Sequence, residues 1–217
     1  MNVFTLLSRF IFPPRCSFCG DMLTVRESPP CKPCRETLPR IPQGHRASLP
    51  GIGRLIAPLY YEGAAREALT GLKFRRRFSG AEPLAALMAE AVLADDGQFD
   101  LVTWAPLSAK KLRERGFDQA LLLTGKMCKR LGCPKPVRVL KKTKQRAVQS
   151  SLQDDEARRA NALGSYRVTR EDLVRGKRIL LADDICTSGA TLSECAALLL
   201  AAGAASVDAV VGARRRQ

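Results

Sequence analysis

The sequence predicts an α/β protein, a mostly parallel open sheet with helices on both faces, preceded by a small cysteine-rich module. Three observations carry that expectation. From Tyr60 onward, apolar extended runs alternate with helical patterns, the order that builds parallel sheets from strand–helix–strand units. Eight of the thirteen prolines fall between Pro13 and Pro50, where neither helical nor strand periodicity is visible. Within that stretch, four of the eight cysteines form two C-x-x-C pairs. The expected division is residues 1–57 for the metal module and linker and 58–217 for the sheet domain.

In chain order, Cys16, Cys19, Cys31 and Cys34 come first. Four thiolates in two chelating turns suffice to close a tetrahedron around a structural zinc ion, and two redox pairs are the alternative. Cys128, Cys133, Cys186 and Cys195 show no ligand spacing and read as small buried hydrophobes. Residues 64–72 and 82–93 read as helices, 99–106 as a buried strand, 117–131 as a helix and 137–140 as a short strand. Residues 178–182 form the strongest apolar strand, followed by an Ala/Leu helix over 190–202 ended by Gly203 and a last strand over 207–211.

Composition excludes several classes. Charge-free stretches reach only thirteen residues, Cys195 to Val207, against the roughly 20 that span a bilayer. Met1 to Phe12 is apolar without a basic leading region, and Pro13-Pro14-Arg15 is no signal-peptidase site; the expectation is a cytoplasmic protein, in keeping with cysteines spaced for metal. The single histidine, His45, lies in the linker, which excludes His-dependent triads and bases in the sheet domain. No G-x-x-x-x-G-K-[ST] run occurs, which argues against a P-loop triphosphatase. Of the net charge of +15, residues 104–160 hold most, with fifteen Lys and Arg against five Asp and Glu. Such a block attracts polyanions, nucleic acid or small phosphorylated ligands alike.

The most informative stretch is Asp183-Asp184-Ile185-Cys186-Thr187-Ser188-Gly189-Ala190-Thr191. It reads as an apolar strand delivering two carboxylates to its carboxyl end, then a loop of small and hydroxylic residues opening a helix. In open α/β sheets ligands bind there. Loop amides and a helix amino terminus suit a phosphate dianion, while two acids beside it suit ribose hydroxyls or Mg²⁺. Residues 108–119 read as a basic loop with Lys110, Lys111, Arg113 and Arg115, facing the Asp-Asp turn or only solvent.

These residues resemble the loop of type I phosphoribosyltransferases that binds phosphoribosyl diphosphate (PRPP). The resemblance implies that the acids hold the ribose, that Thr187 to Thr191 hold the 5′-phosphate, and that Lys110, Arg113 and Arg115 hold pyrophosphate. It also implies a mobile flap at Lys141, Lys142, Lys144, Arg146 and Gln149; a basic linker or DNA-contacting strip is the alternative there. Along nearly its whole length the chain is similar to the ComF family of bacterial competence proteins. The likeness rests on the paired CxxC, Leu72-Lys73-Phe74, Arg115-Gly116-Phe117-Asp118-Gln119, residues 145–161 and the Asp-Asp turn. Asp118 stands where that family usually has Asn, and Cys186-Thr187-Ser188 where an aromatic and two Thr are common. The resemblance implies a sheet of type I phosphoribosyltransferase kind, PRPP and Mg²⁺ as ligands, and a role in uptake of transforming DNA. Three functions follow: phosphoribosyl transfer to an unidentified acceptor, non-catalytic PRPP sensing or single-stranded DNA handling, and a zinc-ribbon scaffold for other competence proteins.

Overall fold

The computed structural model describes residues 14–24, 27–42, 45, 47–143 and 164–216. The chain runs α1 (Lys32–Thr37), β1 (Leu55–Ile56), α2 (Gly63–Arg75), a 3₁₀ turn (Phe78–Gly80), α3 (Ala81–Ala94), β2 (Leu101–Trp104), α4 (Ala109–Arg115), α5 (Gln119–Leu131), β3 (Leu140–Lys142), β4 (Tyr166–Val168), α6 (Glu171–Val174), β5 (Arg178–Cys186), α7 (Ala190–Ala201) and β6 (Ser206–Arg214). Four strands form one sheet in the order β1-β6-β5-β2, parallel throughout. β3 and β4 make a separate antiparallel pair.

The sheet is buried on both faces, as parallel sheets are. Alternation along β5 sends Leu180 and Ala182 to one side, where they pack with Leu69, Leu72, Leu84, Met88, Leu123 and Met127 of α2, α3 and α5. Ile179 and Leu181 point the other way, onto Leu192, Cys195, Ala196 and Leu199 of α7. Side chains of this kind each contribute about 1.5–3 kcal/mol when withdrawn from water. The neighbouring strands β2 and β5 therefore send their following helices to opposite faces. That divergence opens a crevice at their carboxyl ends, where ligands of open sheets sit.

The cysteine module and linker share these cores. Cys16, Phe18, Leu23, Cys34 and Leu38 belong to the α2–α3 side, and Leu49, Ile52 and Leu55 to the α7 side. Packing is thus continuous across residues 57 and 58, and β1 is already an edge strand of the sheet.

Several elements differ from the sequence expectation. β5 runs on through the two acids to Cys186, because β6 pairs with it as far as Cys186 opposite Arg214. The loop after it is therefore only Thr187 to Gly189. The basic run expected as a loop is largely the helix α4, started by Ser108, whose hydroxyl accepts from the Lys111 amide at 3.3 Å. Lys141 and Lys142 lie on β3; Lys144, Arg146 and Gln149 fall outside the described residues. The short strand expected over 137–140 is displaced to β3, its first residues running beside β2 through the Val137 amide and the Val102 carbonyl at 2.9 Å. Among the described residues no helix is long and apolar enough to cross a membrane.

Candidate functional site

Asp183, Ile185, Cys186, Thr187, Ser188, Gly189, Ala190 and Thr191 line one cavity of about 40 Å³ at the carboxyl end of β5. Thr187 and Ser188 are exposed, and Gly189 opens α7. Gly189 has φ of +77°, and a Cβ there would lie 2.3 Å from Leu49 Cδ2. Glycine is strongly favoured in that turn, whose underside the linker closes.

The two acids are adjacent in sequence but face opposite sides of the sheet, as successive strand residues do. Asp184 faces the α2 side, with Lys73 Nζ 3.9 Å from Oδ2. Asp183 faces α7 and the β3–β4 hairpin, and its Oδ1 accepts from the Asp184 amide at 2.7 Å. Burial is the largest cause pushing the Asp183 carboxyl well above the carboxylate range, and the like charges of Asp184 and Asp118 add to it. A group held in that condition gains from a cation or from ribose hydroxyls that donate to it. Mg²⁺ brought in by a diphosphate fits such carboxylates, since it retains waters and takes few protein ligands.

On the hairpin, Lys142 Nζ donates to Tyr166 Oη at 2.9 Å, and the Tyr166 amide donates to Glu194 Oε1 at 3.0 Å. Burial lowers the Lys142 pKa and the positive charge of Lys111 pushes the same way, with Asp183 opposing. The charges of Lys111 and Asp183 thus act on Lys142 at the carboxyl end of the sheet. Lys110 and Arg113 are exposed on α4 and make no hydrogen bond or ion pair among the described residues. Arg115 donates to Gln119 Oε1 at 3.1 Å. Buried Asp118 holds the strap after β2: its Oδ2 accepts from the Leu107 amide at 2.9 Å and Trp104 Nε1 at 3.3 Å, and Oδ1 from the Leu121 amide at 3.2 Å. An N-cap of this kind contributes about 1 kcal/mol.

Lys73, Tyr166 and Glu194 were not assigned to the site from sequence. Lys73 sat in a segment whose summed charge is negative, and Glu194 looked like an ordinary polar helix position. Only the fold carries them to Asp184 and Tyr166.

The four N-terminal thiols converge, with every sulfur within 4.8 Å of the others and Cys19 Sγ 3.6 Å from Cys31 Sγ. The spacing fits four sulfurs each about 2.3 Å from one zinc ion. Burial pushes the Cys16 thiol up, but amide donors of Cys31, Cys19 and Phe18 outweigh it and bring it down to about 7. The four sulfurs, three of them buried and that of Cys19 exposed, can thus hold a metal ion.

Residues 118–217 match the family model of the phosphoribosyl transferase domain. The chain is 29% identical over 206 residues to the DNA utilization protein YhgH of Salmonella typhi, covering 89% of this chain and 87% of that protein. A protein of the same name from Escherichia coli is 31% identical over 160 residues, 71% of this chain and 69% of its own length. The chain belongs to the ComF family. A solved chain described as the allosteric regulatory enzyme of purine biosynthesis overlays 61% of this ComF-family chain and 26% of its own, with 18% identity and a TM-score of 0.42.

Proposed function

We propose that this ComF-family protein binds PRPP with Mg²⁺ at the carboxyl end of β5. The observation that carries the reading is the cavity lined by Asp183 and residues 185–191, opened by Gly189 at the start of α7. In this reading the amides and hydroxyls of Thr187, Ser188 and Thr191 bind the 5′-phosphate. Asp183 and Asp184 hold the ribose hydroxyls, one from each face of the sheet. Lys110, Arg113 and Arg115, with Lys111 and Lys142 nearer the acids, hold pyrophosphate. Mg²⁺ supplies charge neutralisation to the diphosphate, and zinc fills the four-cysteine site. Transfer from PRPP asks for positioning and charge stabilisation more than for a protein nucleophile, which suits a chain with one histidine outside the crevice. The relatives' names point to DNA, and the basic surface favours a second reading, single-stranded DNA handling alongside or in place of transfer, with other competence proteins as partners.

Titration calorimetry with PRPP and MgCl₂ tests the first reading. Wild type gives a Mg²⁺-dependent isotherm, and the Asp183→Asn, Asp184→Asn double variant gives none while keeping its circular dichroism. Equal binding by the double variant would move the ligand elsewhere.

A further inference from the structure

Between α2 and α3 the chain reads Lys73-Phe74-Arg75-Arg76-Arg77-Phe78. Phe74 is 68% and Phe78 49% exposed. Exposed apolar side chains that form a contiguous patch rimmed by polar residues mark interaction sites. These two do not stand alone. Phe78 meets Phe117 edge to face, with ring centroids 4.8 Å apart, and the Arg115 guanidinium lies 5.6 Å from the Phe74 ring centre. Arg75 and Arg76 are exposed on the same turn. Carboxylates there are few: Glu67 is 3.9 Å from Arg75, and Asp184 pairs with Lys73.

The turn is held from behind. A Cβ on Gly80 would come within 3.1 Å of Ser17 Cβ, and one on Gly20 within 3.5 Å of Arg77 Nη1. The cysteine knuckle thus packs directly beneath the aromatic turn and fixes its shape. Arg76 Nη2 donates to the Arg115 carbonyl at 3.4 Å, tying the turn to α4 and the crevice.

We propose that this turn is a stacking platform for single-stranded DNA, with an unpaired base on Phe74 and the adjacent phosphates on Arg75 and Arg76. Exposed aromatics interleaved with cations are the chemistry that binds unpaired strands, whose bases offer open faces to rings and whose phosphates are read by charge. Duplex DNA hides those faces. The surface rests on the DNA-handling reading above and is independent of PRPP.

The test is fluorescence anisotropy with a labelled dT 20-mer and with an abasic strand of equal length, on the full chain. Wild type binds the dT strand more tightly than the abasic one. Phe74→Ala weakens dT binding at least about 5-fold, the effect of losing one stacked base, with an unchanged salt slope and unchanged affinity for the abasic strand. Phe74→Trp restores it. A strand carrying 2-aminopurine shows a fluorescence change on binding wild type that Phe74→Ala lacks. The Arg75→Gln, Arg76→Gln variant instead lowers the salt slope, by about 0.7 for each phosphate released. Equal wild-type affinity for the two strands, or undiminished dT binding by Phe74→Ala, would overturn the platform. PRPP calorimetry on the same proteins separates the readings: Phe74→Ala retains the PRPP isotherm, so loss of DNA binding alone reports on the turn.

Discussion

In the PRPP reading proposed above, Asp183 trades stability for binding. Its carboxyl is pushed up mainly by burial and then by Asp184, so the native chain holds a proton that the unfolded chain has released. As pH rises through the folded-state pKa that proton is lost, and the stability that depends on it goes too. A ligand that needs the carboxylate behaves in the opposite sense, binding more tightly over the same rise. We therefore expect Asp183→Asn to melt about 2–4 °C above wild type at neutral pH, the shift that about 1 kcal/mol produces in a chain of this size. The difference shrinks as pH falls toward the ordinary carboxylate range, while wild-type PRPP affinity increases as pH rises above that range. Calorimetric melts and titrations across pH check both signs. A wild type that gains stability relative to the variant as pH rises would contradict the account.

At the scale of elements, the β3–β4 hairpin docks through one buried carboxylate. Glu194 is 7% exposed and takes the Tyr166 amide on α7, while Leu140 and Tyr166 enter the same core as Leu192 and Leu199. Glu194→Ala leaves that buried amide without its acceptor, at a cost of about 1–3 kcal/mol, whereas Glu194→Gln keeps an oxygen in place. The expected melting temperatures are a drop of several degrees for Ala and a value near wild type for Gln. Amide exchange should accelerate at Tyr166 to Val168 in the Ala variant alone. If Gln destabilises as much as Ala, the negative charge and not the hydrogen bond is what the hairpin requires.

Across the whole molecule, the metal module belongs to the core. Phe18 is fully buried with Leu84 and Met88, and Ser17 abuts Gly80. Losing zinc should therefore loosen the α2–α3 turn as well as the knuckle. Cys16→Ser with Cys31→Ser is expected to abolish zinc in metal analysis and to lower the melting temperature by about 10 °C or more, since a structural site contributes several kcal/mol to folding. Zinc content and melting temperature unchanged by both substitutions would remove the metal from these four positions.

The sequence by itself determined what local pattern encodes. Two CxxC pairs announced the four-thiol cluster because the thiols lie close along the chain. The strand, acids, small loop and helix from 178 to 202 announced the cavity at the carboxyl end of β5 because its parts are consecutive. Helix α5 was legible from its apolar period, whereas its Asp118 cap was not. The tertiary structure decided what depends on partners far away in sequence. β5 extends through Asp183 and Asp184 only because β6 pairs with it to Cys186, and that pairing turns the two acids to opposite faces. Lys73, 111 residues before Asp184, reaches it because α2 packs on the sheet. α4 was hidden because a run of Lys and Arg has no apolar face to betray a helix, and β1 because two residues are too few to show alternation.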